Sequence, residues 1–399
     1  MLDAVAYRTD LPASAELVVI GGGIVGAATA FYAARAGLRT LLLERRPALC
    51  TLTTAAATGA FRLQFDNQLE LELVRQSVEL FLNFAEVTRQ RTYDAEVRQQ
   101  GYLWLTSDPL LARKQQDLVA LQHGWGQADI EILPGDEVRY RFPYVGEAVL
   151  QARWRQGDGF ISPRAVAMGL LAASGAEVVL DCDVRGIRTC GGRLVAVETA
   201  GGAVQTGHAV IAAGPLSGLL AAAAGVDLPI STVRRQKLTL PEVPEVPAGA
   251  PLTIDEDTGV HWRPALRGAS ILHTDPHTPP SPPTEWVPLD GQMAFQVLDP
   301  RSPLAAARLS PFWRAVWERN TAPWLLQAGQ YTMTPDHLPL IGPTAVGGLW
   351  VNTGYSGHGV MGGPAGSKLL IDLLVGARSG GSNPFRLDRT FVPREHAAL

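Results

Sequence analysis

Near its N-terminus the chain reads Val18-Val-Ile-Gly21-Gly22-Gly23-Ile-Val-Gly26, a G-x-G-x-x-G pattern directly behind a short run of β-forming residues. Such a run predicts a buried parallel strand, and the alanine-rich residues 27–36 that follow predict a helix. Gly37 ends this helix, and residues 39–44 form a second apolar run. The pattern therefore predicts one βαβ unit with a glycine-rich turn between strand and helix.

The glycines of this turn suit the pyrophosphate of a dinucleotide. Gly21 permits a tight turn, Gly23 lets backbone N–H groups approach phosphate, and Gly26 lets helix and strand pack closely. Glu44 ends the second strand at the spacing where an acid accepts hydrogen bonds from ribose hydroxyls, which disfavours NADP. The motif predicts a site for NAD or FAD and does not separate the two. The same site is assigned the neighbouring residues Ile24, Val25 and Arg45.

Composition and charge are those of an ordinary globular protein. Of the 399 residues, 46% are hydrophobic and 18% are charged, and a chain of this length predicts two domains. The formal net charge of −4 argues against a nucleic-acid partner, which would need a basic face. The uncharged run 17–34 contains four glycines and indicates a strand and a helix, so we expect no membrane span.

The chain contains three cysteines, Cys50, Cys182 and Cys190. Their odd number, their spacing and the lack of a recognisable secretion signal favour the reducing cytoplasm and buried, inert thiols. Elsewhere, the proline-rich stretches 241–251 and 274–288 indicate surface loops. The residues from 347 to 375 predict a strand, a glycine-rich loop and a last helix that begins at Pro364.

Six motifs follow one another along most of the chain. They are Val18–Glu44, Ala55-Ala-Ala-Thr-Gly59-Ala-Phe-Arg62, Ala209-Val-Ile-Ala-Ala-Gly214, Val260-His-Trp-Arg-Pro264, Tyr331-Thr-Met-Thr-Pro-Asp336-His-Leu-Pro339-Leu-Ile-Gly342 and Gly354-Tyr-Ser-Gly-His-Gly-Val-Met361. In this order the chain resembles the D-amino-acid oxidase superfamily of flavoproteins, and within it the sarcosine oxidase and glycine oxidase branch. The last two motifs are the most specific ones.

The resemblance implies an α/β fold, with a Rossmann-like FAD-binding domain and a second α+β substrate domain built on an antiparallel sheet. Residues 1–90, 150–232 and 330–399 would form the FAD-binding domain, and residues 91–149 and 233–329 the substrate domain. The isoalloxazine ring of an extended FAD would reach the domain boundary. The resemblance assigns further cofactor contacts to Thr58, Gly59, Val184, Ala213, Gly214, Gly342, Gly354, Ser356, Gly357, His358, Gly359, Val360 and Met361.

Four residues are candidates for the catalytic site. Arg62 matches an arginine that resembling enzymes use to bind the substrate carboxylate through a bidentate fork; the alternative is a surface arginine. His261 and Arg263 share one face of a strand, and one face of that strand should look at the flavin. His358 lies in the glycine-rich loop, either as an acid–base catalyst or as a structural hydrogen-bonding group.

The chain also departs from the family pattern. Gly329 stands where some sarcosine oxidases attach the flavin to a cysteine, so we expect non-covalent FAD. Tyr331 and Met361 replace an arginine of glycine oxidase and a lysine of the sarcosine branch, which makes the pocket less cationic. The strand 268–273 contains no lysine, so we expect slow reaction with oxygen. Lys237 could reach the domain boundary or be exposed to solvent, and His273 or Arg263 could supply the missing positive charge.

The resemblance implies oxidative deamination or demethylation of a small amino acid or secondary amine, by hydride transfer to flavin N5 and without a metal. One alternative is an FAD-dependent dehydrogenase of 2-hydroxy acids or glycerol phosphate. Another is an FAD-binding subunit or assembly factor of a larger complex. The substrate and its chirality, the electron acceptor, and the choice between homo-oligomer and partner subunit stay open.

Overall fold

The computed structural model describes residues 4–320 and 322–393. The outermost residues of the predicted FAD-binding domain, 1–3 and 394–399, therefore lie outside the described residues. The strands are β1 (Ala6–Arg8), β2 (Leu17–Ile20), β3 (Thr40–Leu43), β4 (Ala60–Phe61), β5 (Tyr102–Thr106), β6 (Glu131–Pro134), β7 (Gln151–Arg155), β8 (Gly159–Phe160), β9 (Glu177–Val179), β10 (Val184–Cys190), β11 (Arg193–Thr199), β12 (Gly202–Gln205), β13 (Ala209–Ile211), β14 (Ser231–Leu240), β15 (Leu252–Asp255), β16 (Val260–Ala265), β17 (Gly268–His273), β18 (Leu325–Met333), β19 (Leu340–Pro343) and β20 (Leu349–Thr353).

Helices cover these strands. The α-helices are α1 (Ile24–Arg35), α2 (Thr53–Ala56), α3 (Gln68–Leu82), α4 (Phe84–Thr88), α5 (Pro109–Gly124), α6 (Gly135–Arg141), α7 (Pro163–Ser174), α8 (Ser217–Ala222), α9 (Gln292–Leu298), α10 (Trp313–Arg319) and α11 (Gly359–Leu374). Short 3-10 helices span Gly214–Leu216, Ala306–Arg308 and Gly380–Ser382. In the described part of the chain, no helix combines the length and the apolar character that a bilayer span needs.

A seven-stranded sheet contains the predicted βαβ unit. Its order is β1-β9-β3-β2-β13-β20-β19, and every neighbouring pair is parallel except β19 with β20. Along β2, Leu17 and Val19 pack into the core beneath α1, whereas Val18 and Ile20 pack into the core on the opposite face. Both faces are covered, which is why this strand is an uninterrupted apolar run rather than an alternating one.

A second sheet of eight strands has the order β18-β14-β17-β16-β15-β5-β7-β6, and it is antiparallel except where β15 runs beside β5. Its core includes Trp262, Met293 and Trp313, which join the sheet to α9 and α10. The predicted mixed α/β fold, with a parallel sheet and a second, mainly antiparallel sheet, is confirmed. The predicted domain bounds stay a proposal; β7 lies in this sheet although those bounds place it in the FAD-binding domain.

Two local predictions were wrong. The closing helix α11 begins at Gly359 and not at Pro364, which lies inside it. Glycines precede that proline, so the sequence pattern resembles a loop, but burial of the helix against α1 and α3 outweighs its low helix propensity. Cys190 is exposed, whereas Cys50 and Cys182 are buried as expected.

Candidate active site

A cavity of about 500 Å³ is lined by residues from both sheets. Most of the residues that the sequence analysis assigned to the site line this cavity. They are Gly21, Gly23, Ile24, Val25, Glu44, Arg45, Thr58, Gly59, Arg62, Val184, Ala213, Gly214, His261, Ser356, Gly357, His358, Gly359, Val360 and Met361. Gly26, Arg263, Gly342 and Gly354 are not among the lining residues of the described chain.

The glycine turn forms one end of the cavity. Gly21 has a φ of +115°, which strongly favours glycine, and the turn leads into the N-terminus of α1. A Cβ atom on Gly26 would lie 1.9 Å from the carbonyl oxygen of Gly21, so this glycine allows the close packing of turn and helix. The positive end of the α1 dipole at this turn suits a pyrophosphate.

Glu44 stands at the end of β3 beside this turn. Its Oε2 accepts a hydrogen bond of 2.7 Å from the backbone N–H of Gly22, and its Oε1 accepts one of 2.9 Å from that of Arg46. Burial raises the pKa of Glu44, although these backbone hydrogen bonds oppose the shift. Acid, glycine turn and helix N-terminus together form a donor and acceptor set that fits the adenosine part of FAD.

The N-terminus of α11 opens on the middle of the cavity. His358 is its N-cap residue, and Ser356 and Gly357 have φ angles of 49° and 100°. A Cβ atom on Gly357 would lie 2.7 Å from Cε2 of Tyr331, so the loop needs glycine at this position. The helix therefore directs the positive end of its dipole at the cavity, where it can stabilise negative charge on a bound ring.

A buried line of three side chains joins α3, α11 and the strand-end loop after β4. Nη2 of Arg62 donates to Nε2 of His358 over 3.1 Å, and Nδ1 of His358 contacts Oε1 of Glu70. Because a guanidinium can only donate, Nε2 accepts and the ring proton lies on Nδ1, from which it is donated to the carboxylate. Burial alone would raise the pKa of Glu70, but the adjacent His358 and the hydrogen bonds from His358 and Asn67 lower it.

Aromatic rings hold the Arg62 guanidinium on its other sides. Its carbon lies 4.9 Å from the ring centroid of Phe65, 5.4 Å from that of Trp104 and 5.8 Å from that of Tyr102. Its Nε also donates to the carbonyl oxygen of Gln64 over 3.3 Å, and the residue is 5% exposed. The structure thus places Arg62 in a rigid, shielded position on the cavity wall.

The two candidates on β16 have different surroundings. His261 is buried and lines the cavity; burial lowers its pKa to about 4, so the imidazole is neutral at pH 7. Its Nδ1 donates to the carbonyl oxygen of Gly259 over 3.1 Å, which leaves Nε2 as an acceptor. Arg263 instead donates from Nε to the carbonyl oxygen of Thr58 over 2.8 Å and stacks on Phe160, away from the cavity wall.

Three further residues complete the site, and the sequence analysis did not assign them. Glu70 is preceded by Asn67, whose side chain caps α3 and accepts from the backbone N–H of Glu70 over 2.7 Å. That Asn-x-x-Glu spacing is a helix-start signal, which could have located Glu70 in the first turn of α3. Tyr102 and Arg235 also line the cavity, but alternation along β5 and β14 does not reveal which face looks toward it.

Lys237 does not line the cavity, although it reaches the boundary between the sheets. Its Nζ donates to the carbonyl oxygens of Ala55 and Ala57, each over 3.0 Å. Burial lowers its pKa to about 8, and the nearby charge of Arg263 acts in the same direction. Lys237 therefore ties β14 to the segment that precedes Thr58.

The two buried cysteines lie at the nucleotide end of the cavity. The backbone N–H groups of Cys50 and Cys182 donate to the carbonyl oxygens of Gly22 and Glu44. Burial raises the pKa of the Cys50 thiol to about 12, which makes it a poor nucleophile. Within the described residues, no group of histidine, cysteine or acidic side chains has the arrangement of a metal site.

A parallel sheet with this glycine turn, which shares a long cavity with a second sheet, is typical of proteins that bind a dinucleotide. The chain belongs to the DAO family, described as FAD dependent oxidoreductase, whose model matches residues 16–373. Family membership confirms the predicted relationship and FAD as the cofactor.

Individual relatives agree with this assignment. Over 383 residues the chain is 26% identical to mitochondrial dimethylglycine dehydrogenase of Mus musculus, covering 90% of this chain and 42% of that protein. It is 26% identical to glycine oxidase of Pseudomonas aeruginosa, covering 91% of this chain and 95% of the oxidase. The chain thus spans about two fifths of the mitochondrial dehydrogenase and nearly all of the bacterial oxidase.

Solved structures show the same fold. The crystal structure of glycine oxidase from Geobacillus kaustophilus superimposes with a TM-score of 0.82 at 23% identity. The match covers 95% of this chain and 100% of the oxidase chain. The fold is therefore shared over nearly the whole chain.

Proposed function

We propose that this chain dehydrogenates a small amino acid or secondary amine with FAD as oxidant, with oxidative deamination or demethylation as the outcome. The observation that carries the proposal is the buried line Glu70–His358–Arg62, which fixes a guanidinium in the cavity beside the N-terminus of α11. When bound, FAD supplies a hydride acceptor at N5 for the carbon next to the substrate nitrogen, and the resulting imine is hydrolysed by water.

Arg62 would bind the substrate carboxylate. Its guanidinium is held by His358 and by the surrounding rings, so little side-chain entropy is lost when a carboxylate binds. His358 would act as a positioning residue rather than as an acid–base catalyst, because both of its ring nitrogens are used within the line. Glu70 stabilises the donated proton of that imidazole.

The amine must be neutral to release a hydride. Arg62 and Arg235 both line this end of the cavity, and their positive charge together with desolvation would lower the pKa of a bound ammonium group. Neutral His261, with Nε2 as an acceptor, would receive a hydrogen bond from the amine N–H and orient it. The N-terminus of α11 would stabilise the negative charge of the reduced flavin.

The test is anaerobic titration of the oxidised holoprotein with amino acids, N-alkyl glycines, 2-hydroxy acids and glycerol phosphate, followed by flavin absorbance. Bleaching by at least one amine, with formation of the corresponding carbonyl product, is the expected result. Bleaching by hydroxy acids or glycerol phosphate alone would replace the proposal with the alternative dehydrogenase. Bleaching by none of them, with stable co-purification of another chain, would favour the role of a partner subunit.

Further features of the protein stay predictions. Non-covalent binding of FAD is supported by Gly329 and by Cys50 and Cys182, whose backbone N–H groups donate to Gly22 and Glu44 at the nucleotide end of the cavity. The cytoplasm stays the predicted compartment, on the number and spacing of the cysteines. Nucleic acid is not expected as a partner, and the choice between homo-oligomer and partner subunit stays open.

A further inference from the structure

The two ends of the cavity differ in charge balance. At the nucleotide end, Asp183 lies 3.4 Å from Arg45 and 3.4 Å from Arg185, and Glu44 lines the same end. At the opposite end, Arg62 and Arg235 line the wall, and no acidic residue of the described chain lines it beside them. The substrate end therefore carries an excess of positive charge.

Arg235 is held rigidly by neutral oxygens. Its Nη1 donates to Oγ1 of Thr278 over 2.6 Å, and its Nη2 donates to the carbonyl oxygen of Asp275 over 3.0 Å. Its guanidinium carbon lies 5.6 Å from the ring centroid of Tyr331. Among residues 4–320 and 322–393, no carboxylate oxygen forms an ion pair with it, and its buried Nε has no hydrogen-bond partner.

This arrangement is unfavourable without a ligand. Burial lowers the pKa of Arg235, because desolvation disfavours the charged form, and the negative charge of the nearby Asp275 opposes this shift only in part. Arg235 is only partly buried, but its guanidinium loses hydration without gaining an ion pair, and an anion placed against it would offset that cost. Arg62 differs, since its line of contacts ends at the carboxylate of Glu70.

Arg62 and Arg235 share their neighbours. Both arginines line the same cavity as Tyr331 and His261. The Arg235 guanidinium lies over the ring of Tyr331, and the Arg62 guanidinium lies over the ring of Tyr102, which lines the same cavity. A small ligand beside His261 can therefore have one anionic group on each arginine.

We propose that the substrate is an amine with two carboxylates, one bound by Arg62 and the second by Arg235. An N-carboxyalkyl amino acid or an amino acid with an acidic side chain has this chemistry. Arg235 is then a specificity-determining residue, because it binds the second carboxylate. Arg62 and His261 bind the carboxylate and the amine that every amino acid shares. The inference rests on the proposed function and names its substrate class.

The test compares two ligands that differ by one carboxylate, N-methylglycine and N-(carboxymethyl)glycine. Dissociation constants are measured anaerobically from the perturbation of the oxidised flavin spectrum, separately from any flavin reduction. The wild-type holoprotein should bind N-(carboxymethyl)glycine roughly 10- to 100-fold more tightly than N-methylglycine, which is the contribution expected from one hydrogen-bonded charge pair. Arg235→Met should abolish most of this ratio.

Arg234→Met is the matched control, because Arg234 is adjacent on β14, donates to the carbonyl oxygen of Pro288 and does not line the cavity. It should keep the wild-type ratio. If Arg235→Met fails to retain FAD, Arg235→Lys keeps the charge and should retain a reduced preference. Equal binding of the two ligands by the wild-type protein, or an equal loss for both in the Arg235 variant, overturns the inference. Failure of every amine to reduce the flavin would instead defeat the proposed function, whatever the binding ratio.

Discussion

Replacement of Arg62 by alanine should weaken binding of a carboxylate ligand without unfolding the protein. The guanidinium is shielded from solvent and fixed by His358 and three aromatic rings, so a bound carboxylate would form a charge-assisted pair in a dry site. Loss of such a pair costs about 2–4 kcal/mol, which corresponds to a rise in Kd of roughly 30- to 700-fold.

The assay is a titration of the oxidised holoprotein with acetate and with the best amine substrate, with Kd read from the flavin spectrum. Arg153→Ala is the matched control, because Arg153 is also buried, lies 4.5 Å from the Trp104 ring centroid and does not line the cavity. It should lower thermal stability as Arg62→Ala does and leave Kd near the wild-type value. Unchanged Kd values in Arg62→Ala would refute the role of this arginine.

Three other predictions concern the cofactor, the acceptor and the pH dependence. With Gly329 at the attachment position, acid precipitation should release intact FAD, and yellow colour retained in the pellet would contradict non-covalent binding. The strand 268–273 lacks lysine and the Lys237 ammonium is bound by two carbonyl groups, so stopped-flow reoxidation of the reduced protein in aerated buffer should be slower than reoxidation by a dye or quinone. Equal rates would make the protein an oxidase. The pKa of His261 falls from 6.5 to about 4 on folding, so the unfolded chain binds more protons between these values. Stability is therefore complete above pH 6.5 and should fall by about 3 kcal/mol as the pH drops to 4. His261→Asn should reduce this loss in urea unfolding at several pH values, and an unaltered pH profile would show that His261 is not the cause.

Local patterns in the sequence predict the nucleotide half of the fold well. The run before Gly21 forms β2, the alanines form α1, and Gly37 follows the helix with a φ of +84°. These elements depend on residues close together in the chain, so periodicity and glycine positions are sufficient to predict them. The sequence pattern does not predict the start of α11 at Gly359, because the stability of this helix depends on its burial against α1 and α3, which are distant in the chain.

The end of the cavity that contains Arg62 and Arg235 could be predicted only in part. Arg62, His261 and His358 were candidates through the family resemblance, and the structure brings them to one cavity. Glu70 contacts a histidine 288 residues away along the chain, and no local pattern reports such a contact. Arg235 follows Arg234 in a short basic pair, and its burial depends on how β14 packs against the loop that contains Thr278.

A single-turnover experiment shows whether this chain oxidises an amine with its own flavin. Oxidised holoprotein is mixed anaerobically with a limiting amount of the amine that bleaches the flavin best, and reduced flavin, consumed amine and carbonyl product are quantified together. We expect equal amounts of all three, with the carbonyl on the carbon that was bonded to nitrogen. Flavin reduction without consumption of the amine, or reduction by hydroxy acids alone, would contradict it.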